Sequence, residues 1–74
     1  MKEVIIRTDY ILLGQLLKFE GIISNGGESK TFLASNIVII NGEIDQRRGK
    51  KLYPGDQIEV LGIKYLIVND KSVH

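Results

Sequence analysis

Ile37-Val38-Ile39-Ile40-Asn41-Gly42-Glu43-Ile44-Asp45 is the stretch that decides the fold. β-Branched residues favour extended backbone, and Asn-Gly between two such runs favours a type I′ turn, because both central residues of that turn need positive φ. The stretch therefore reads as a β-hairpin with strands at 37–40 and 43–45. Downstream, residues 46–51 form a polar, glycine-containing loop and Tyr53-Pro54-Gly55-Asp56 a second turn. Ile58 and Val60 then alternate with Gln57 and Glu59 as one more strand. Leu61-Gly62 turns the chain into a last strand at 63–68, and residues 69–74 read as a frayed end.

Upstream, the apolar spacing changes from two to that of a helix. Val4-Ile5-Ile6 suits an opening strand, and Thr8 and Asp9 offer oxygens to cap a helix over 11–20, where Leu12, Leu13, Leu16, Leu17 and Phe19 recur at helical intervals. Gly14 inside that pattern costs about 1 kcal/mol relative to Ala, which points to close backbone packing. Gly21 ends the helix. Ser24-Asn25-Gly26-Gly27-Glu28 reads as a turn into a second helix, with Asn25 and Glu28 at capping-box spacing. That helix runs to about Ser35, with Phe32 and Leu33 on its buried side, Ser29 and Ala34 small enough for close contact, and Asn36 as a left-handed C-cap. Two short helices in succession form an αα-hairpin.

The chain has 74 residues, 43% of them hydrophobic and 26% charged, which places it with globular domains and predicts one domain over 1–74. A chain this short hides only about 60% of the surface that it exposes when unfolded, so its functional residues are expected on the outside. There is no Cys, which removes disulfides and thiolate zinc sites as supports. No apolar run approaches the roughly 18 residues of a membrane span, and Met1-Lys2-Glu3-Val4 lacks the features of a signal peptide, so the cytoplasm is the expected location and no membrane partner is expected.

Ten Lys and Arg against nine Asp and Glu leave a net charge of only +1, so the argument for an anionic partner must come from where the charges lie. Arg47-Arg48-Gly49-Lys50-Lys51 puts four cations in five residues, and 46–55 holds no acid. Such a cluster suits a phosphate backbone, with Arg bonding two oxygens and Lys acting as a point charge. A solvated loop that keeps a hairpin soluble has the same composition. Gly26-Gly27 ahead of a helix resembles a phosphate cradle but has the spacing of neither nucleotide-binding fingerprint, so a plain turn is the favoured reading. Tyr10, Phe19, Phe32, Tyr53 and Tyr65 read as core or half-buried, with Tyr53, beside the basic loop, the one candidate for stacking on a base. Catalysis has no support: His74 is the last residue, and Glu43 with Asp45 and Asp56 with Glu59 read as solvent-facing carboxylates. No enzyme, metal, cofactor or small-molecule substrate is expected.

The order of elements, with Ile37-Val38-Ile39-Ile40-Asn41-Gly42 followed by Pro54-Gly55-Asp56-Gln57-Ile58-Glu59-Val60, resembles the S-four RNA-binding domain, named for ribosomal protein S-four. The resemblance covers about 12–60 and is greatest to the small stand-alone bacterial branch described as YaaA-like or YbcJ-like. It implies an α+β fold, two short helices packed on a small, mostly antiparallel twisted sheet of four to five short strands. It also implies a non-catalytic protein that binds structured RNA. The family often opens its first helix with Arg-Leu-Asp and its second with a Ser-Arg-Arg-like stretch. Here Ile11-Leu12-Leu13 and Asn25-Gly26-Gly27 stand in those places, while Lys30 matches a position that is usually basic.

The resulting expectation is a surface made by the second helix and the 46–51 loop, with Lys30, Arg47, Arg48, Lys50 and Lys51 on phosphates, Ser24, Asn25, Gly26 and Gly27 adding hydrogen bonds, and Tyr53 alongside. Ribosomal RNA or a ribosome-assembly intermediate is the expected target, with transfer RNA and the ribosome itself as related partners. About five phosphate contacts would give a log–log salt slope of roughly −3 to −5. The alternative is a protein-interaction adaptor in a bacterial replication or translation complex, which the missing arginines favour. The oligomeric state is open, and an exposed edge strand at 63–68 is the feature that would support a dimer.

Overall fold

The computed structural model describes residues 1–70. In chain order its elements are β1 (Lys2–Ile6), β2 (Ile11–Leu12), α1 (Leu13–Phe19), α2 (Ser29–Ser35), β3 (Val38–Ile40), β4 (Glu43–Ile44), β5 (Lys51–Leu52), β6 (Gln57–Val60) and β7 (Ile63–Asn69), with a 3₁₀ turn at Gly26–Glu28 leading into α2. The fold is α+β. A five-stranded mixed sheet has the order β1-β7-β6-β3-β4, and β2 pairs with β5 in a separate two-stranded ribbon. β1 and β7 are parallel; the other pairs are antiparallel.

The strand alternation builds the core. Val4, Ile6, Val38, Ile40, Ile58, Val60, Tyr65 and Ile67 are buried on one face of the sheet and meet Leu13, Leu16, Leu17 and Leu33 of the helices, with Ile23 and Leu52 closing the cluster. The hairpin forms as expected, with Asn41 at φ 50° and Gly42 at φ 86°. Asn41 also extends the β3–β6 ladder by one step. Its N–H donates to the Gln57 carbonyl at 2.8 Å, and its Oδ1 accepts from the Gln57 N–H at 2.9 Å, replacing the carbonyl that the turn has rotated away. Asn41 Nδ2 then donates to Asp56 Oδ1 at 3.0 Å, while Asp56 Oδ2 accepts from the Tyr53 N–H at 2.7 Å. The two stretches that carry the family resemblance are thus joined by side chains. Pro54 and Gly55, the latter at φ 96°, form the corners of the second turn, and its backbone pairs with Ile67 of β7.

Several expectations need correcting. Residues 11 and 12 are strand rather than helix, because Ile11 and Leu12 pair with Leu52 and Lys51; α1 starts at Leu13, and the Thr8 hydroxyl donates to the Tyr10 carbonyl instead of capping it. The open N–H groups of Leu12 and Leu13 are met by Gln15 Oε1 and the Lys50 carbonyl. Lys51, expected in the loop, belongs to β5. Gly21, at φ 74°, ends α1 as expected: it donates to the Lys18 carbonyl and Ile22 to the Leu17 carbonyl, the paired bonds of a Schellman cap. Asn36 is extended rather than left-handed and caps through its side chain, Nδ2 donating to the Phe32 carbonyl. Ala34 is exposed, as are Tyr10, Phe19 and Tyr53. β7 lies inside the sheet between β1 and β6, so it is no edge strand, and it extends to Asn69. Of the frayed end expected at 69–74, Asn69 belongs to β7 and 71–74, with His74, lie outside the described residues.

Candidate functional site

The basic loop is held at three points. Leu13 N–H donates to the Lys50 carbonyl and Gly14 N–H to the Arg48 carbonyl, both at 2.9 Å, so the loop supplies acceptors to the first turn of α1. Lys50 N–H donates to the Arg47 carbonyl, closing a turn within the loop. Lys51 passes directly into the β2–β5 ribbon. Gly14 is where the loop and α2 converge: a Cβ built on it would stand 3.4 Å from the Arg48 carbonyl oxygen and 3.5 Å from Ser29 Cβ. The close packing expected at Gly14 is present, and it sets the start of α2 beside the basic loop.

Within the loop the four cations differ. Arg47 forms a bidentate pair with Asp45, Nη2 to Oδ2 at 2.6 Å and Nε to Oδ1 at 3.0 Å, and its own N–H also donates to Asp45 Oδ1. These bonds hold the Asp45 carboxyl at about 2, well below the usual carboxylate range, and raise the Arg47 guanidinium above its ordinary value. Arg48 and Lys51 are exposed, and Lys50 is half-buried. Lys30 is exposed on the first turn of α2.

The 24–27 turn is internally satisfied. Asn25 Oδ1 accepts from Gly27 N–H, and Glu28 Oε1 accepts from the N–H groups of Ser24 and Asn25, the expected capping box. Three backbone donors, the N–H groups of Ser24, Asn25 and Gly27, are therefore engaged within the turn.

Tyr53 has a neighbour that the sequence did not assign to the site. Its ring lies 5.7 Å from that of Tyr10 at a tilt of 50°, and Lys51 Nζ stands 4.9 Å from the centre of the Tyr10 ring. Tyr10 read as the residue before a helix. The signal that could have placed it is the β-branched Ile11 beside it, which allows strand as readily as helix. Among the described residues, no cluster of His, Cys, Asp and Glu is grouped to hold a metal ion, and no helix is long and apolar enough to cross a membrane.

The family model for the S4 domain matches residues 4–68. A Bacillus subtilis (strain 168) protein described as "Probable ribosome maturation protein RlbA" is 46% identical over 65 residues, which cover 86% of this chain and 92% of the relative. No solved structure matches the chain. With a family match across nearly its whole length and the Asn-Gly and Pro-Gly-Asp turns bonded to each other, the chain belongs to the S4 domain family.

Proposed function

We propose that this protein is a non-catalytic, cytoplasmic RNA-binding module of one domain that recognises structured ribosomal RNA or a ribosome-assembly intermediate through the start of α2 and the 46–51 loop. The observation that carries the reading is the fixed presentation of the loop. Its Arg48 and Lys50 carbonyls are bonded to α1, so the side chains of Arg48, Lys50 and Lys51 project from an ordered backbone, and little further ordering is needed on binding. The S4 family match and the relative's ribosome-maturation description support the class of ligand.

In this reading Arg48, Lys50 and Lys51 carry most of the phosphate contact, and Lys30 extends it along α2. Arg47 contributes less than its neighbours because Asp45 already occupies its guanidinium. The 24–27 turn borders the path, with its shape rather than its N–H groups facing the RNA. Such a surface reads phosphate spacing and helix shape more than base identity.

The test is recovery of RNA from bacterial lysate by the tagged protein, beside a folded Arg48→Glu, Lys50→Glu variant. One class of ribosomal RNA bound by the parent and lost by the variant is the expected result. Equal, RNA-poor recoveries with a shared protein partner would replace the reading with that of an adaptor.

A further inference from the structure

Tyr10 borders more than the aromatic pair. It also lines an open groove of about 690 Å³ with Thr8, Ile11, Gln15, Lys18 and Phe19, a groove that neither Lys51 nor Tyr53 lines. Phe19 is 64% exposed at its rim and Tyr10 is 38% exposed, although the helical spacing of Phe19 had marked it for the core. Two aromatic rings left open to water beside a lysine make a surface suited to a flat π-system. The backbone sets its position: the basic loop runs into β5, which pairs with β2, and Tyr10 immediately precedes β2.

We propose that this groove receives one unpaired nucleobase of the bound RNA, stacked on Tyr10 and packed against Phe19, with the flanking phosphates on Lys18 and Lys51. The inference rests on the RNA-binding reading and deepens it, since it adds a site that senses an unpaired nucleotide to a surface that otherwise follows the backbone. Three features favour a nucleotide. The open groove has room for one base, Lys18 at the groove and Lys51 over Tyr10 complement phosphate, and Tyr10 is shared between the groove and the end of the basic loop. Stacking on an aromatic ring tolerates any base, so the groove distinguishes a bulged or looped nucleotide from a paired one rather than one sequence from another.

The test uses two RNA hairpins with the same stem, one fully paired and one carrying a single 2-aminopurine bulge. The parent is expected to bind the bulged hairpin about tenfold more tightly, with a change in 2-aminopurine fluorescence on binding. Tyr10→Leu and Phe19→Leu are expected to abolish that preference while leaving affinity for the paired stem unchanged. Phe19 takes no part in the ring contact that Tyr10 makes with Tyr53, so its variant carries the test if Tyr10→Leu disturbs the fold. Equal affinity of the parent for the two hairpins, or a preference retained by both variants, would overturn the stacking site and leave the RNA reading standing. Failure of the parent to bind either hairpin would remove the RNA reading, and the groove proposal with it.

Discussion

Asn41 is the residue on which the joined turns depend most, and replacing it by Ala and by Gly separates its backbone conformation from its two side-chain bonds. Its φ of 50° costs most L-residues about 1 kcal/mol or more, a cost that Asn bears better than Ala. Its side chain accepts from Gln57 N–H and donates to Asp56 Oδ1, two solvent-exposed bonds worth about 0.5–1 kcal/mol each. Asn41→Ala removes both bonds and adds the conformational penalty, a loss of about 2–3 kcal/mol. Against a total stability of roughly 4–11 kcal/mol for a chain of 74 residues, that loss is large. At about 4–8 °C per kcal/mol, Tm should fall by roughly 10–20 °C in a far-ultraviolet circular dichroism melt. Asn41→Gly loses the bonds but keeps the backbone conformation, so it should melt several degrees above Asn41→Ala. Equal Tm values for the two variants would refute the conformational argument, and Tm values within about 2 °C of the parent for both would refute the side-chain bridge as well.

Leu61 sits at φ 52° with 61% of its surface exposed, so Leu61→Asn should raise Tm by about 2–6 °C, measured by the same melt. Gly14→Ala places its Cβ at ordinary contact distance from Arg48 and Ser29 and gains helix propensity, for an expected stabilisation of about 0.5–1 kcal/mol in denaturant unfolding; Gly14→Val drives its γ-carbons into the same neighbours and should destabilise. Asp45 has a folded pKa below its unfolded value, so the stability it contributes is present above about pH 4 and is lost as pH falls through about 2. The Tm difference between the parent and Asp45→Asn should therefore shrink across that window. The same variant frees Arg47, and its RNA affinity should show a log–log salt slope steeper by about 1, read from binding titrations over a range of salt.

The sheet's long strands and the hairpin were legible because β-branched runs and Asn-Gly act locally: the residues that set the turn are the residues in it. The β2–β5 ribbon was not, since a two-residue strand has no period to detect and Ile11-Leu12 fits a helix equally well until Lys51-Leu52 is brought beside it. That one long-range pairing moved the helix start, exposed Tyr10 and set it against Tyr53. The cations of the candidate site could be named from the sequence, because clustering is a property of the chain. The difference between Arg47 and Arg48 could not, since it depends on the Asp45 side chain reaching Arg47 while Arg48 offers α1 only its carbonyl.

A net charge of +1 does not by itself favour an RNA surface, yet several of the acids have structural work that restricts where they act. Asp45 is paired with Arg47, Asp56 holds the N–H of Tyr53 and the amide of Asn41, and Glu20, nearly buried, is paired with Lys2 at 2.9 Å. Glu28 behaves differently: its carboxylate bonds the N–H groups of Ser24 and Asn25 at the entrance to α2, satisfying donors there and opposing a second anion at the same place. In the proposed reading, both effects move the favourable region for phosphate away from the 24–27 turn and toward Arg48, Lys50 and Lys51. That end of the surface is also where Lys51 stands over Tyr10 and the aromatic groove opens. The same acids that let so short a chain close its turns thus select which part of its basic surface remains available to a ligand.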